Sequence, residues 1–239
     1  MTLLSTTNKV HTRWTKSFAQ AGCISIAIDF RNAWTSSGYN HFPCGLNDCA
    51  ASIQYISTHK RQLGITTLTL QGESGGANLV LASALKAKRE NWLHAITGVY
   101  AYVPFISGVY GSWSEERMRS QLPSLVENDG YVLNVRTMGA SVAAYTPKRE
   151  QQEDALAWPY FATVEEMRGL PPHVVVVDEL DPLRDEGLAY YRRLLAAGVE
   201  VTGQVNLGIP HAAGLIFRKA MPEVHRKVVR EIVAFARSL

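Results

Sequence analysis

Along this chain, apolar β-rich runs alternate with longer stretches whose apolar positions recur at helical spacing. Residues 23–30, Cys-Ile-Ser-Ile-Ala-Ile-Asp-Phe, have the composition of a buried strand. Residues 46–63 carry the helical period and stop at Gly64, a natural helix C-terminus. Residues 66–71 form a second predicted strand, running straight into a glycine-rich turn and a helix over 75–90. A third strand is expected at 96–103 and a fourth, almost wholly valine, at 173–178. A helix over 185–197 ends at Gly198, a fifth strand covers 200–207, and an amphipathic helix over 219–239 closes the chain.

Nearly continuous apolar strands separated by helices predict an α/β fold with a mostly parallel sheet covered on both faces. At 239 residues the chain suits one domain. Within it, residues 107–163 are rich in Trp, Tyr, Ser and charge and keep no period, so they read as a cap-like insertion. Its expected place is over the C-terminal edge of the sheet, where active sites of open α/β folds lie.

Composition narrows the partners. Hydrophobic residues make up 46% and charged residues 19%, as in ordinary globular proteins. A net charge of +3, spread along the sequence, argues against nucleic acid, and the basic stretch 86–89 reads as the cationic end of a helix. Cys23, Cys44 and Cys49 show no metal-ligand spacing and read as free thiols of a reducing, cytoplasmic compartment. No apolar run approaches the ~20 residues that span a bilayer, and residues 1–10 lack the pattern of a signal peptide.

The most specific motif is Gly72-Glu73-Ser74-Gly75-Gly76, set between a predicted strand and a predicted helix. That is the setting of a nucleophile elbow, a sharp turn whose close neighbours must be small. It places Ser74 at a helix N-terminus, where the N–H of Gly75 is the expected oxyanion donor. A phosphate loop would need a Gly-Lys-Ser/Thr ending, and a dinucleotide site a wider three-glycine spacing; both are missing.

A serine nucleophile in this setting needs an acid and then a histidine later in the chain. Asp181 follows the valine-rich strand, and His211 follows the fifth strand in Gly-Ile-Pro-His-Ala-Ala-Gly. Asp178 and Glu179 compete with Asp181, whereas Asp185 and Glu186 are expected to cap and charge the next helix. Tyr100, Tyr102, Phe105, Tyr110 and Trp113 suit either an acyl or alcohol pocket or an aromatic core.

Three stretches resemble the hormone-sensitive-lipase group of α/β-hydrolases: Gly72-Glu-Ser-Gly-Gly-Ala-Asn-Leu79, Asp181-Pro-Leu-Arg-Asp-Glu-Gly187 and, less closely, Ile28-Asp-Phe-Arg-Asn-Ala33. The resemblance runs from about His11 to the C-terminus. It implies a Ser74, Asp181, His211 triad, carboxylesterase action on short-chain esters, no metal or cofactor, and a homodimer through the last strand and helix. The group's His-Gly-Gly-Gly motif, which completes the oxyanion hole, is absent from this chain, as are the group's leading strands. One absent strand belongs between those matching residues 23–30 and 66–71. The expectation is therefore an N-terminally shortened esterase, in which those two strands close up or the fold is weakened. A non-catalytic remnant that binds a ligand or partner is the competing reading. Acyl transfer or peptidase chemistry on the same triad is a third.

Overall fold

The computed structural model describes residues 9–239. Four strands, β3 (Thr69–Glu73), β4 (Gly98–Tyr102), β5 (His173–Leu180) and β6 (Val201–Pro210), form one sheet in that order, every pair parallel. A two-residue hairpin, β1 (Trp34–Thr35) and β2 (Gly38–Tyr39), stands apart. The expected α/β architecture is present, with strand and helix limits shifted by a few residues.

Side chains of the inner strands alternate between two cores. Val99 and Ala101 of β4 and Val175 and Val177 of β5 pack with α2 (Cys44–Thr58), α4 (Gly75–Arg89) and α9 (Arg184–Ala196). Tyr100, Tyr102 and Val176 face the other way, toward α1 (Lys9–Gln20) and α11 (Pro222–Ser238). Both faces are thus covered, which is why β4 and the valine run of β5 are apolar on both sides. The short α3 (Lys60–Leu63) ends at Gly64, whose φ of +67° is the left-handed conformation that glycine adopts without strain.

Residues 107–163, with α5 (Glu115–Gln121), α6 (Ser124–Glu127), α7 (Val135–Tyr145) and two 3₁₀ turns, pack with Phe30, Leu46, Leu79 and Leu183 in a third cluster. Trp158 is its fully buried centre, with Phe105 and Tyr145 at 5.7 and 5.4 Å between ring centroids. Helices α8 (Val164–Met167) and α10 (Ala213–Ile216) complete the molecule. At the end of α4, Arg89 pairs with Glu166 of α8, and Lys88 donates to the Glu165 and Glu166 carbonyls. The basic stretch 86–89 is therefore a tie between helices as well as a helix end.

Two sequence expectations need correction. Residues 9–20, which show no clear apolar period in the sequence, form α1, with Trp14 and Phe18 four apart on one buried stripe. Residues 23–30 run extended but join no sheet. They do not close up on β3. A trench of about 660 Å³ separates the two, lined by Ile24, Ile26 and Ile28 on one side and Leu68 and Leu70 on the other. Ile24 and Ile26 remain 60% and 45% exposed, and β3 pairs with β4 along one edge only.

Candidate active site

Strand β3 delivers the chain into a turn at Ser74, where φ is +54° and ψ is −120°. A non-glycine residue in this region carries strain of ~1–3 kcal/mol and persists only where its surroundings hold it. Here the Ser74 N–H donates to the Tyr102 carbonyl (3.0 Å), and the Ser74 carbonyl accepts from Asn78 N (3.1 Å) and Phe105 N (3.2 Å). A Cβ on Gly72 would lie 2.2 Å from the Gly76 carbonyl oxygen, so the turn closes only with glycine there. Ser74 precedes the first residue of α4, yet its hydroxyl makes no capping bond to that helix. The side chain is half-buried.

Past the end of β5, Asp181 is fully buried. Its Oδ1 accepts from Leu183 N at 2.9 Å and its Oδ2 meets His211 Nδ1 at 2.7 Å. His211 follows β6 and is itself buried. The three residues thus leave the C-terminal ends of β3, β5 and β6 of one parallel sheet, which is where the sequence reading put them. Engagement of Nδ1 by the carboxylate orients the ring and leaves Nε2 for the opposite side.

The neighbouring carboxylates are occupied differently. Asp178 accepts from Asn206 Nδ2 (2.9 Å) and Tyr102 Oη (3.1 Å), and burial pushes it up to about 6. Glu179 accepts from Gly208 N at 2.6 Å, steadying the loop that carries His211. Neither bonds to the histidine, so the geometry separates Asp181 from its two competitors.

Glu186 stands in the first turn of α9, as expected, but caps no helix N–H and is engaged elsewhere. It is fully buried and accepts from Ile106 N (2.6 Å), Ser107 N (3.1 Å), Ser107 Oγ (2.6 Å) and Tyr110 Oη (2.7 Å). Burial raises its pKa from 4.5 to about 7. It ties α9 to the first turns of the insertion. Asp185 likewise accepts from Ser124 N (2.7 Å), and Asn128 Nδ2 donates to the Asp181 carbonyl (3.1 Å). These ties from the insertion to the acid loop span more than fifty residues, so no local pattern announced them.

Glu186→Ala strips four donors of their acceptor and should cost at least ~3 kcal/mol, or about 6–12 °C in Tm. The carboxyl binds its proton more tightly folded than unfolded, so its contribution is fullest below about 4.5 and declines as pH rises through about 7. Thermal melts from pH 4 to 8 should accordingly show the Tm gap between the parent and Glu186→Gln narrowing with pH. A constant gap would contradict the assignment.

The aromatic residues resolve mostly into core. Tyr100, Tyr102, Phe105 and Tyr110 are buried, the last two stacked at 4.9 Å. Trp113 is half-buried beneath the Arg117 guanidinium, 3.9 Å from the ring.

The family model described as alpha/beta hydrolase fold matches residues 3–215. The chain belongs to the α/β-hydrolase family. Among solved α/β-hydrolases it is similar to brefeldin A esterase, titled a bacterial homologue of human hormone-sensitive lipase, at 51% identity and a TM-score of 0.96. That alignment covers 98% of this chain and 64% of the other. Esterase Est22 matches at 36% identity and a TM-score of 0.85, over 95% of this chain and 67% of the other. An arylesterase of Saccharolobus solfataricus is 33% identical over 201 residues, 80% of this chain and 60% of that protein. The chain thus spans roughly half to two thirds of the length of the α/β-hydrolases it matches. Among the described residues no helix is long and apolar enough to cross a membrane.

Proposed function

We propose that this α/β-hydrolase is a serine carboxylesterase acting on short-chain esters, with Ser74 as nucleophile, His211 as general base and acid, and Asp181 as its orienting carboxylate. The observation that carries the reading is the strained Ser74 turn on the same sheet edge as the 2.7 Å Asp181–His211 pair. The esterase names of the relatives support it.

His211 Nε2 removes the Ser74 hydroxyl proton as Oγ attacks the ester carbonyl carbon. The charge that develops on the carbonyl oxygen is met by the Gly75 N–H at the start of α4, aided by the helix dipole. Collapse of the tetrahedral intermediate breaks the bond to the alcohol, which leaves with the proton held by His211. Water, deprotonated by the same nitrogen, then attacks the acyl-enzyme and releases the carboxylic acid. Asp181 holds the imidazole in the required tautomer and stabilises its cationic form without taking the proton.

The absent His-Gly-Gly-Gly motif leaves Gly75 as the one oxyanion donor assigned. Loss of one such donor lowers turnover by ~10²–10³. We therefore expect kcat on p-nitrophenyl butyrate to fall short of a full-length relative by about that factor. Parity with the relative would mean that another N–H supplies the second bond. The homodimer implied by the resemblance would use β6, an open edge that exposes Val205 and Leu207.

The competing reading, a non-catalytic remnant, is favoured by the trench beside β3 and the absent motif. A fluorophosphonate probe separates the two, because covalent labelling needs an activated serine. Labelling of the parent that disappears in Ser74→Ala supports the hydrolase. A folded parent that stays unlabelled supports the remnant.

A further inference from the structure

A second concavity, lined by none of the proposed triad residues, lies between α1 and α11. It has a volume of about 760 Å³, within the size range of small-molecule sites. Four arginines, Arg218, Arg226, Arg230 and Arg237, line it, and no Asp or Glu does so among the described residues. Between them Val229 and Val233, both buried, form an apolar base.

All four arginines lie within residues 218–237, on α11 and the segment just before it, so the charge of the groove is local to the C-terminal part of the chain. The α1 side contributes the uncharged Ser17, Gln20 and Ala21 as the opposite wall, held there by packing in which Trp14 lies 5.4 Å from the His225 ring.

Of the two acids in this stretch, Glu223 interacts with both Arg226 and Arg230, and Glu231 lies away from the groove. Glu223 pairs with Arg226 at the rim, while Glu231 pairs with Lys227, whose Nζ reaches Asn206 of β6 on the opposite flank of α11. Neither Arg218 nor Arg230 is within ion-pair distance of a carboxylate among the described residues. Arg237 spans one end, donating to the Ala21 carbonyl at 2.7 Å. His225, held by the Gly214 carbonyl (2.9 Å) and Ser17 Oγ (3.3 Å), has its pKa lowered by burial and by the charges of Arg218 and Arg226.

We propose that the groove between α1 and α11 binds an amphipathic anion, an aliphatic chain carrying a carboxylate or phosphate. The head group would be taken by Arg226 and Arg230, which stand one helical turn apart with planar forks suited to either anion. The chain would lie on Val229 and Val233. A free amphiphile and the head group of an anionic lipid in a bilayer present the same chemistry to the groove.

Calorimetric titration of sub-micellar decanoate into the full chain, its Ser74 blocked by a fluorophosphonate, tests the proposal. The expected result is one site that weakens about fivefold for each of Arg226→Ala and Arg230→Ala. Co-sedimentation with phosphatidylglycerol vesicles, beside pure phosphatidylcholine, identifies the source. Retention on the anionic vesicles without decanoate binding assigns the bilayer head group, and decanoate binding assigns the free amphiphile. Decanol binding as tightly as decanoate would overturn the proposal, as would inorganic phosphate binding as tightly. Binding unchanged in the arginine variants, or binding to neither probe, would overturn it too. The ligand comparisons use the parent protein and so hold even if a variant folds poorly.

Discussion

Asp181→Asn should lower ester turnover by about 10⁴, to the level of the buffer reaction, while the protein keeps its fold. The asparagine has nearly the volume of the aspartate and can still accept from Leu183 N through its carbonyl oxygen. Its amide group would present N–H donors to His211 Nδ1, which now meets a carboxylate oxygen at 2.7 Å. The imidazole would then settle with its proton on Nε2, the wrong tautomer for removing a proton from Ser74. Asp178→Asn is the informative comparison, because Asp178 bonds to Tyr102 and Asn206 and not to the histidine. It should retain activity within about tenfold, since it removes no group from the reacting atoms. Equal losses in the two variants, with near-UV circular dichroism unchanged, would refute the distinction between them.

Gly72→Ala should abolish the folded protein or destabilise it severely, by ~4 kcal/mol or more. The added Cβ would meet the Gly76 carbonyl oxygen at 2.2 Å, its carbon at 2.3 Å and Ala77 N at 2.7 Å. All three atoms are backbone of the first turn of α4, which cannot rotate away as a side chain could. Relief requires pulling the helix from the strand, and that would release the bonds from Ser74 N to the Tyr102 carbonyl and from Phe105 N to the Ser74 carbonyl that hold Ser74 in its strained conformation. Thermal melts and soluble yield measure the effect. Gly169→Ala serves as a backbone control, with positive φ but nothing within 4 Å of the added carbon. A Gly72→Ala protein that melts with the parent would show that the turn is looser than described.

How much of this was legible in the sequence follows from how local each signal is. The valines of β5 and the glycines around Ser74 act on their immediate neighbours, so strand, turn and helix could be read directly. His211 was readable because it follows the last strand, and Asp181 because it follows the one before. Residues 23–30 have the composition of a strand, but a strand also needs a partner. The side chains specify burial and cannot supply the neighbouring backbone, so the segment is extended beside a trench. Helix α1 escaped notice because only Trp14 and Phe18 of its stripe are buried amid polar residues. The contacts of Ser124, Asn128 and Glu186 join segments 53 to 80 residues apart, and the basic groove joins still more distant ones.

Whether Ser74 is an activated nucleophile is read from hydrolysis of p-nitrophenyl acetate by the parent and by Ser74→Ala, both shown to be folded. The expected result is slow but measurable release of p-nitrophenol by the parent and none above the buffer rate by the variant. Equal rates in the two proteins would contradict it.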